Sequence, residues 1–485
     1  MIRKFIRSIL LKLLVLIDKN TKEKIITTKF YFWNKEIRIP SILIILIIPL
    51  LIFLILLLEI EPSFSKITGL IIFVGFAFGI FILYLQKEET ELKNNNDALM
   101  LVGLLGLMGI LSIEIVKSIN NSTAFIVPVC GFTILTALLL NNRIAIMFLI
   151  FISTLCGVLN EFKLEYLIFH LMSGFVGIYL SDRINNRNDI FQTGLFMIVI
   201  NSLIIISFNL LSYLEFKIIY FLHIIINSGL LVMLIYVLLF PLETFFSRLT
   251  KLKLLELSDF NQPLLKRLAI ETPGTYQHSL LVASISENAA KAIGINSLLV
   301  RVGAFYHDIG KIIKPEYFIE NQITTNNPHD DISPTMSGLV VISHVKEGVN
   351  LAKKYNLDKP LIDLIEQHHG TSLLSMFYQK ALLENSNSKE YKEEDFRYPG
   401  PKPQTKEAAV LMLSDACEAS TRAIGELNTN KLKEIVEKII NDKLNDGQLS
   451  ETNLTFSDLD KISKSIINSL ISIHHIRTEY ETNKK

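Results

Sequence analysis

The sequence predicts an all-α protein, a polytopic transmembrane helix bundle of about eight spans followed by a cytosolic, all-helical domain. Residues 40–241 consist of long apolar runs separated by short polar segments. The remaining residues place apolar and charged side chains at helical spacing, as in a soluble domain. We therefore expect a basic cytoplasmic segment at 1–39, the bundle at 40–241, a juxtamembrane linker helix at 242–271, and a catalytic domain with a helical tail at 272–485.

The N-terminal segment combines basic residues with an apolar set that includes Phe5, Ile9 and Leu13. Lys12 interrupts this set and no small-residue cleavage site follows, so the segment makes a poor signal peptide. We predict an amphipathic helix lying on the inner leaflet, with a disordered basic tail as the alternative.

A helix needs roughly 20 apolar residues to cross a hydrocarbon core. An even number of spans places both termini on one side, and the basic N-terminus puts that side in the cytoplasm of a multi-pass inner-membrane protein. The fourth and fifth runs are close enough to form one span. The predicted spans are 40–60, 66–86, 98–116, 122–140, 143–160, 165–181, 191–213 and 217–241.

Polar groups inside these spans are costly in lipid unless they are paired. Interhelical hydrogen bonding explains them more simply than a ligand pocket, and the test is whether His170 and His223 face one common cavity. The candidates are Glu114, Asn160, His170, Asn201, Asn209 and His223.

The composition excludes two classes of function. A net charge of +1, without a basic stripe interleaved with aromatic residues, argues against a nucleic acid polymer as partner. The chain has three cysteines and no CxxC pair, so we expect neither disulfides nor a thiolate metal site.

Histidines and aspartates recur in order along the soluble half. Imidazole and carboxylate are ligands for divalent metals, and these residues are too many for one four-coordinate structural zinc. Two metals that share one carboxylate would fit, and such pairs catalyse in-line displacement at phosphorus. The sequence therefore predicts a phosphodiesterase site. The series is His278, His307, Asp308, His344, His368, His369 and Asp415.

Local sequence predicts how these residues are presented. We expect a helix after Thr272-Pro273 and another from Leu298 to Lys311, which would put Lys311 on one face with His307 and Asp308. The doublet His368-His369 can reach one metal only where a helix ends, and Gly370 permits such a bend. His329, in a loop, is a weaker candidate for supporting the metals.

Five side chains are candidate substrate contacts. Arg397, Tyr398 and Lys402 lie in a proline-rich loop at 384–405 that could cover a nucleotide, and Lys311 could neutralise a phosphate oxygen. Helix 406–424 would carry Asp415 and Arg422 on one face, with Arg422 as a phosphate or structural partner. A buried Asp–Arg pair without metal is the alternative there.

Taken together, the motifs resemble the HD-domain superfamily of metal-dependent phosphohydrolases, and most closely its PgpH-type membrane members, the 7TM-receptor HD family. The motifs that carry the resemblance are HDIGK at 307–311, ENQ at 320–322, NPHD at 327–330, QHHGTSL at 367–373, YPGPKPQTKEAA at 398–409 and SDACEASTR at 414–422.

The resemblance implies hydrolysis of cyclic di-AMP to pApA with two Mn²⁺ or Fe²⁺ ions, at which an activated hydroxide attacks phosphorus. By resemblance, His278, His307, Asp308 and Asp415 would hold the first ion. Asp308 would bridge to the second ion, with His344, His368 and His369. Lys311 would lie near the developing charge.

Two features depart from related patterns. Family members carry a large extracellular domain after the first span, whereas only five residues separate Ile60 from Lys66. The doublet is followed by Gly370-Thr371-Ser372 and not by the GYP signature of enzymes that act on cyclic di-GMP. The alternatives are another cyclic or linear nucleotide as substrate, or a non-catalytic nucleotide-binding receptor or scaffold. Assembly into a homo-oligomer is left open.

Overall fold

A computed structural model describes residues 27–32, 35–40, isolated positions between 68 and 84, and residues 96–119, 123–161, 163–322, 327–383, 391–422 and 428–474. The chain divides into two compact units, Met1–Thr250 and Lys251–Lys485. The predicted N-terminal amphipathic helix and the first predicted span lie outside the described residues, and the second span is described only at isolated helical positions.

The first described residues of the first unit form a hairpin that was not predicted from the sequence. Strand β1 (Thr27–Phe32) pairs antiparallel with β2 (Lys35–Pro40), in a register that sets Thr27 opposite Pro40. Threonine and aromatic residues favour extended backbone, which explains the strands. The helices described below confirm the predicted helical fold class.

Among the described residues of the first unit, five helices are long and apolar enough to cross a membrane, in agreement with five of the predicted spans. The fourth predicted span, 122–140, is wrong in form. It begins with a 3-10 turn at Ala124–Ile126, and its α-helix has only 11 residues, because Pro128 interrupts the run. It does not merge with the next helix, whose first turn is capped by Asn141. The helices are α1 (Asn96–Ser118), α2 (Val129–Leu139), α3 (Asn142–Leu159), α4 (Leu164–Ser181), α5 (Arg187–Leu210) and α6 (Ile218–Phe245).

The buried histidines of the bundle hold the 3-10 turn that precedes α2. His170 Nε2 donates to the carbonyl of Ala124 at 3.0 Å, and His223 Nδ1 lies 2.9 Å from Thr123 Oγ1. Asn227 Nδ2 donates to two further carbonyls of this segment. Irregular backbone at membrane depth is tolerated when its polar groups are satisfied in this way. These contacts favour interhelical hydrogen bonding for both histidines.

The segment predicted as one linker helix at 242–271 is instead divided. Helix α6 ends at Phe245, and Ser247 adopts a left-handed conformation (φ 49°) that an α-helix cannot continue through. The second unit starts with α7 (Lys251–Leu257), and Pro263 at the first helical position begins α8 (Pro263–Glu271).

The second unit is a helical domain with a main apolar core and a smaller apolar cluster formed by Phe377, Ala381 and Phe396. Helix α9 packs against α10, α14 and α16, and the buried side chains of these helices form the largest part of the core. Helix α11 packs against α12 and against the 3-10 turn Ile309–Ile313. The helices are α9 (Pro273–Ile293), α10 (Ser297–Tyr306), α11 (Pro334–Lys354), α12 (Lys359–Gln367), α13 (Ser375–Leu383), α14 (Lys406–Arg422), α15 (Thr429–Asn445) and α16 (Phe456–Ile473).

The helix predicted for 298–311 is shorter than expected. Helix α10 ends at Tyr306, His307 is its C-cap, and Asp308 leaves helical geometry (φ −106°, ψ 14°) before the 3-10 turn begins. The tighter 3-10 winding still places Lys311, three residues on, beside Asp308. The break leaves His307 and Asp308 at a helix end, where both side chains can turn toward the same point.

Candidate metal centre

The seven predicted metal ligands converge from five helical segments into two adjacent groups. One group contains Asp308, His344, His368 and His369, and the other contains His278, His307 and Asp415. Within each group every ligand atom lies within 4.8 Å of the others. All are buried except His369, which is partly exposed. Each group could therefore hold a metal ion.

Asp308 lies between the two groups and presents one carboxylate oxygen to each. Its Oδ1 lies 3.3 Å from His344 Nε2 and 3.8 Å from His368 Nε2. Its Oδ2 lies 3.3 Å from His307 Nε2 and 3.7 Å from His278 Nε2. A single carboxylate is therefore placed to contact ions in both groups.

Three of the imidazoles are oriented by the same kind of hydrogen bond to a nearby backbone carbonyl. The Nδ1 atoms of His307, His344 and His368 each donate to the carbonyl three residues earlier in the chain, at 2.8, 2.6 and 2.7 Å. A carbonyl can only accept, so each Nδ1 carries a proton and donates it. This leaves Nε2 of each ring, which faces the cluster, as the atom that would bind a metal once it is unprotonated.

His278 is oriented differently, by a side chain that the sequence analysis missed. Its Nδ1 hydrogen-bonds to the buried carboxylate of Glu418, while its Nε2 lies 3.0 Å from Asp415 Oδ1. Glu418 follows Asp415 by three residues on α14, so both carboxylates share one helix face. This spacing of three residues is the feature of the sequence from which the role of Glu418 could have been predicted. A carboxylate behind a ligating imidazole fixes its tautomer and raises its basicity.

The two groups differ in the protonation state that their surroundings favour. Burial lowers the pKa of His307, but the carboxylates of Asp308 and Asp415 outweigh burial and raise it to about 10. The pKa of His278 is raised by the same kind of competition. Burial and the charge on His307 lower the pKa of His368 to about 3, and burial lowers those of His344 and His369 as well.

The residues present fit metal ions on their own chemistry. Two buried polar atoms at the centre, His307 Nε2 and Asp308 Oδ1, have no hydrogen-bond partner among the described residues. Such atoms are costly unless something coordinates them. A donor set of imidazoles and carboxylates without thiolate suits borderline or hard divalent ions.

Two glycines let the segments that carry the ligands approach closely. A Cβ on Gly310 would overlap the carbonyl oxygen of His344, so only glycine allows the 3-10 turn to reach α11. Gly370 has φ 53°, and a side chain there would meet Gln448. The predicted bend after the histidine doublet is therefore present, and it occurs where α12 has ended at Gln367.

Lys311 is held in a buried ion-pair network. Its Nζ lies 2.7 Å from Asp308 Oδ2 and 2.8 Å from Glu320 Oε1, and it also lies over the ring of Phe318. Burial lowers the pKa of Lys311, but the two carboxylates outweigh this and raise it, while the pKa of Asp308 is held well below its usual range. The geometry gives Lys311 a role in fixing Asp308, because its charge is already paired.

The two arginines predicted as substrate contacts are not placed beside the metal ligands. Arg397 is committed to ion pairs with Glu393 and Asp446 and donates to the carbonyl of Thr371 at 2.8 Å, so its function is structural. Arg422 follows Asp415 by seven residues on α14, so the two lie on one helix face as predicted. Arg422 is exposed at the end of the helix, which argues against the alternative of a buried Asp–Arg pair.

Tyr398, Lys402 and His329 complete the predicted set. Tyr398 is buried and stacks on His369 with ring centroids 4.3 Å apart, which places it beside the metal ligands. Lys402 lies near Gly447. His329 Nε2 donates to the carbonyl of Tyr317 at 2.8 Å, and its ring packs on Phe377, so it stabilises the loop.

A cavity of about 680 Å³ opens beside the ligands, which is within the usual size range of ligand sites. His368, His369 and Asp415 form one wall of it, and Tyr398 and the apolar side chains of Met412 and Phe377 form others. Of the five predicted substrate contacts, only Tyr398 lines this cavity.

Comparison with known families matches both parts of the chain. Residues 64–250 match the family described as a 7TM receptor with intracellular HD hydrolase, and residues 275–420 match the HD domain. Seven of the eight predicted spans fall within the first match. This chain is a membrane protein by that match and by its five long apolar helices.

The chain is similar to curated proteins over most of its length. It is 41% identical to "Cyclic-di-AMP phosphodiesterase PgpH" of Bacillus subtilis (87% of this chain, 61% of that protein). It is 35% identical to the protein of the same name from Listeria monocytogenes (88% and 61%). The chain thus spans about three fifths of the length of these relatives. A crystal structure of the L. monocytogenes PgpH HD domain in complex with cyclic-di-AMP is 47% identical (45% of this chain, all of that one, TM-score 0.42).

Proposed function

Because this chain belongs to the PgpH-type family of 7TM receptors with an intracellular HD hydrolase, we propose that it is a membrane-anchored, metal-dependent phosphodiesterase that hydrolyses cyclic di-AMP to pApA. The observation that carries the proposal is the position of Asp308, with one oxygen directed to each of two complete ligand groups. A receptor that only binds nucleotide has no need for two such groups.

The proposed metal ligands are those given by the sequence. His278, His307 and Asp415 would hold one ion, His344, His368 and His369 would hold the other, and Asp308 would contact both. Divalent ions bound there, Mn²⁺ or Fe²⁺ in this proposal, would acidify water and neutralise charge on the phosphate. Glu418 would keep His278 in its ligating tautomer, and Lys311 would hold Asp308 in position.

The chain's own side chains would orient the substrate. Tyr398 stacks on His369 at the edge of the cavity and is placed to contact a ribose or base next to the phosphate. The apolar walls formed by Phe377 and Met412 suit the faces of a nucleobase. Adenine is proposed because the curated relatives are named for cyclic di-AMP and because the GYP signature is absent from the doublet segment.

We place the second unit in the cytoplasm and the bundle in the cell membrane, since the substrate is a cytosolic second messenger and the N-terminus is basic. The proposed boundaries are 1–39, 40–241, 242–271 and 272–485, with the linker divided into short helices. The bundle, the lipid or a homo-oligomeric partner would supply any regulation.

The test is product identification with the full chain in detergent micelles and Mn²⁺. Cyclic di-AMP, cyclic di-GMP and a linear dinucleotide are supplied separately and products are resolved by ion-pair chromatography. We expect pApA from cyclic di-AMP, with at least about 10-fold lower kcat/KM for the guanine dinucleotide. Full metal loading with no turnover of any cyclic dinucleotide would reject the proposal and favour a receptor.

A further inference from the structure

Lys443 contributes a cation to the cavity that the sequence analysis did not identify. It lies on α15, beyond the residues 275–420 that match the HD domain, and it lines the same cavity as His369 and Asp415. Its Nζ donates to Ser372 Oγ at 2.6 Å, and Ser372 lies in the segment that follows the histidine doublet. A residue of the C-terminal tail is therefore brought to the wall of the proposed active site.

The ammonium of Lys443 is influenced by the carboxylates of Asp415 and Asp446, but neither is close enough to form an ion pair with it. Among the residues that the structure describes, no ion pair joins its ammonium to an acidic side chain, and its hydrogen-bond partner is neutral. Asp446 would be the natural partner three residues on, but Asp446 is already engaged by Arg397 at 2.8 Å. Burial lowers the pKa of Lys443 and outweighs the opposite effect of the carboxylates of Asp415 and Asp446.

Other cations near the site differ in this respect. Lys311 is paired with Asp308 and Glu320, and Arg397 with Glu393 and Asp446. Lys443 lies in the last turn of α15, where the carbonyls of the helix end stabilise a positive charge without forming an ion pair. Among the described residues the amine of Lys443 thus has no ion-pair partner, and it lines the cavity where an anion that enters can contact it.

We infer that Lys443 recognises the second phosphate of the dinucleotide, the one that is not positioned at the metal ligands. A cyclic dinucleotide carries two phosphodiesters, and a cavity with metal ligands on one wall and a cation on another has a place for each. This inference rests on the proposed function and deepens it, because it makes the site selective for substrates with two phosphates. Mononucleotide diesters would reach the metal ligands and leave Lys443 without an anion.

The position of Lys443 depends on the same contacts that hold the doublet. Thr371 N donates to Gln448 Oε1 at 2.9 Å, and Arg397 binds both Asp446 and the carbonyl of Thr371. The tail is thus tied to the segment after His369 at two residues that closely follow Lys443, Asp446 and Gln448. The geometry explains why Arg397, predicted as a substrate contact, acts indirectly by occupying Asp446.

The test compares two substrates on the full-length protein with Mn²⁺. Cyclic di-AMP has two phosphates, whereas bis(p-nitrophenyl) phosphate is a diester with one. For K443M we expect the KM for cyclic di-AMP to rise about 10- to 100-fold, since hydrogen bonds to charged groups are worth that factor. The loss of kcat/KM should be at least about 10-fold smaller on the single-phosphate diester, and K443R should recover most of the affinity.

The control is K438M, which removes an exposed lysine from the same helix and should leave both activities unchanged. Equal losses of K443M on both substrates, or an unchanged KM for cyclic di-AMP, would overturn the inference and leave Lys443 a structural residue. Hydrolysis of bis(p-nitrophenyl) phosphate by the unaltered protein without turnover of cyclic di-AMP would instead overturn the proposed function.

Discussion

The imidazole of His278 is held by the carboxylate of Glu418, 140 residues further along the chain, through a hydrogen bond to Nδ1. Nε2 of the same ring faces Asp415 and Asp308. Among the histidines whose Nδ1 contacts are described above, His278 is the one whose ring is oriented by a distant side chain. A carbonyl three residues earlier in the chain orients each of the others.

Replacing Glu418 by Gln should therefore weaken the binding of the ion that His278, His307 and Asp415 would hold, while leaving these ligands in place. Loss of a carboxylate behind a ligating histidine typically lowers metal affinity 10- to 100-fold. Metal titration by calorimetry would measure the change. The control is E434Q, an exposed residue on α15, which should bind both ions normally. An E418Q protein with unaltered affinity for both ions would show that the contact does not serve the metal.

Removing one ligand from each group should separate the two sites. H278A is expected to keep the ion bound by His344, His368 and His369, and H369A the ion bound by His278, His307 and Asp415, because Asp308 is the one residue that we propose contacts both ions. Each variant should hold about one Mn²⁺ per chain by elemental analysis, against about two in the unaltered protein. D308A should lose both ions and all hydrolysis. Two ions retained in D308A would contradict the bridging assignment.

Metal binding should release protons from one group and not from the other. The carboxylates raise the pKa of His307 to about 10, so its imidazole is protonated at pH 7 and must lose that proton before it ligates. The pKa values of His344, His368 and His369 are lowered, so those rings are already neutral.

Calorimetry at pH 7 in buffers of different ionisation enthalpy would count these protons. The first-group ion, isolated in H369A, should release about one to two protons, and the second-group ion, isolated in H278A, about none. As the pH is lowered, the affinity for the first-group ion should therefore begin to fall at a higher pH than the affinity for the second-group ion. Equal proton release from both variants would mean that the carboxylates do not control His307 as described.

The convergence of the seven candidate ligands could be predicted from the sequence, because metal chemistry restricts the residue types and their order is regular. Their supports could not. Glu418 becomes visible only when α14 is seen against α9, and the cavity cation Lys443 only when the tail is folded back onto Ser372. Arg397 and Lys311 carry charges that suit phosphate, yet nearby carboxylates, unpredictable from spacing alone, already pair with them.

Long apolar runs in the sequence predicted the helices of the fold correctly, whereas short irregular segments could not be predicted. Hydropathy identified α1 and α3 to α6 but not the 3-10 turn before α2, which depends on Pro128 and on donors from distant helices. The linker was predicted as one helix because its apolar spacing is helical, and backbone conformation at Ser247 ends it. Local periodicity cannot report such tertiary contacts.

Lys311 should be needed for stability in the metal-free protein. Removing one member of a buried ion pair typically costs roughly 3–5 kcal/mol, because the remaining charges are left uncompensated. For K311M in the presence of a chelator we expect faster hydrogen exchange at amides of 275–420, and partial recovery when Mn²⁺ is added, since the ions would neutralise Asp308. The matched control is K464M, which breaks only the exposed pair with Asp460 and should have almost no effect.

Gly310 should be the residue that couples helix packing to the second metal ion. A methyl group there overlaps the carbonyl of His344, so G310A must push α11 away from the Ile309–Ile313 turn. His344 would then move from its position 3.3 Å from Asp308 Oδ1, and overpacking of this kind costs about 1–3 kcal/mol. We expect metal analysis to find the second ion lost and the first retained, so that G310A resembles H369A in stoichiometry while keeping all seven ligands. The matched control is G229A, at a helical glycine with open space around it. Two tightly bound ions in G310A would mean that α11 can shift without carrying His344 away, and that the close approach serves packing alone.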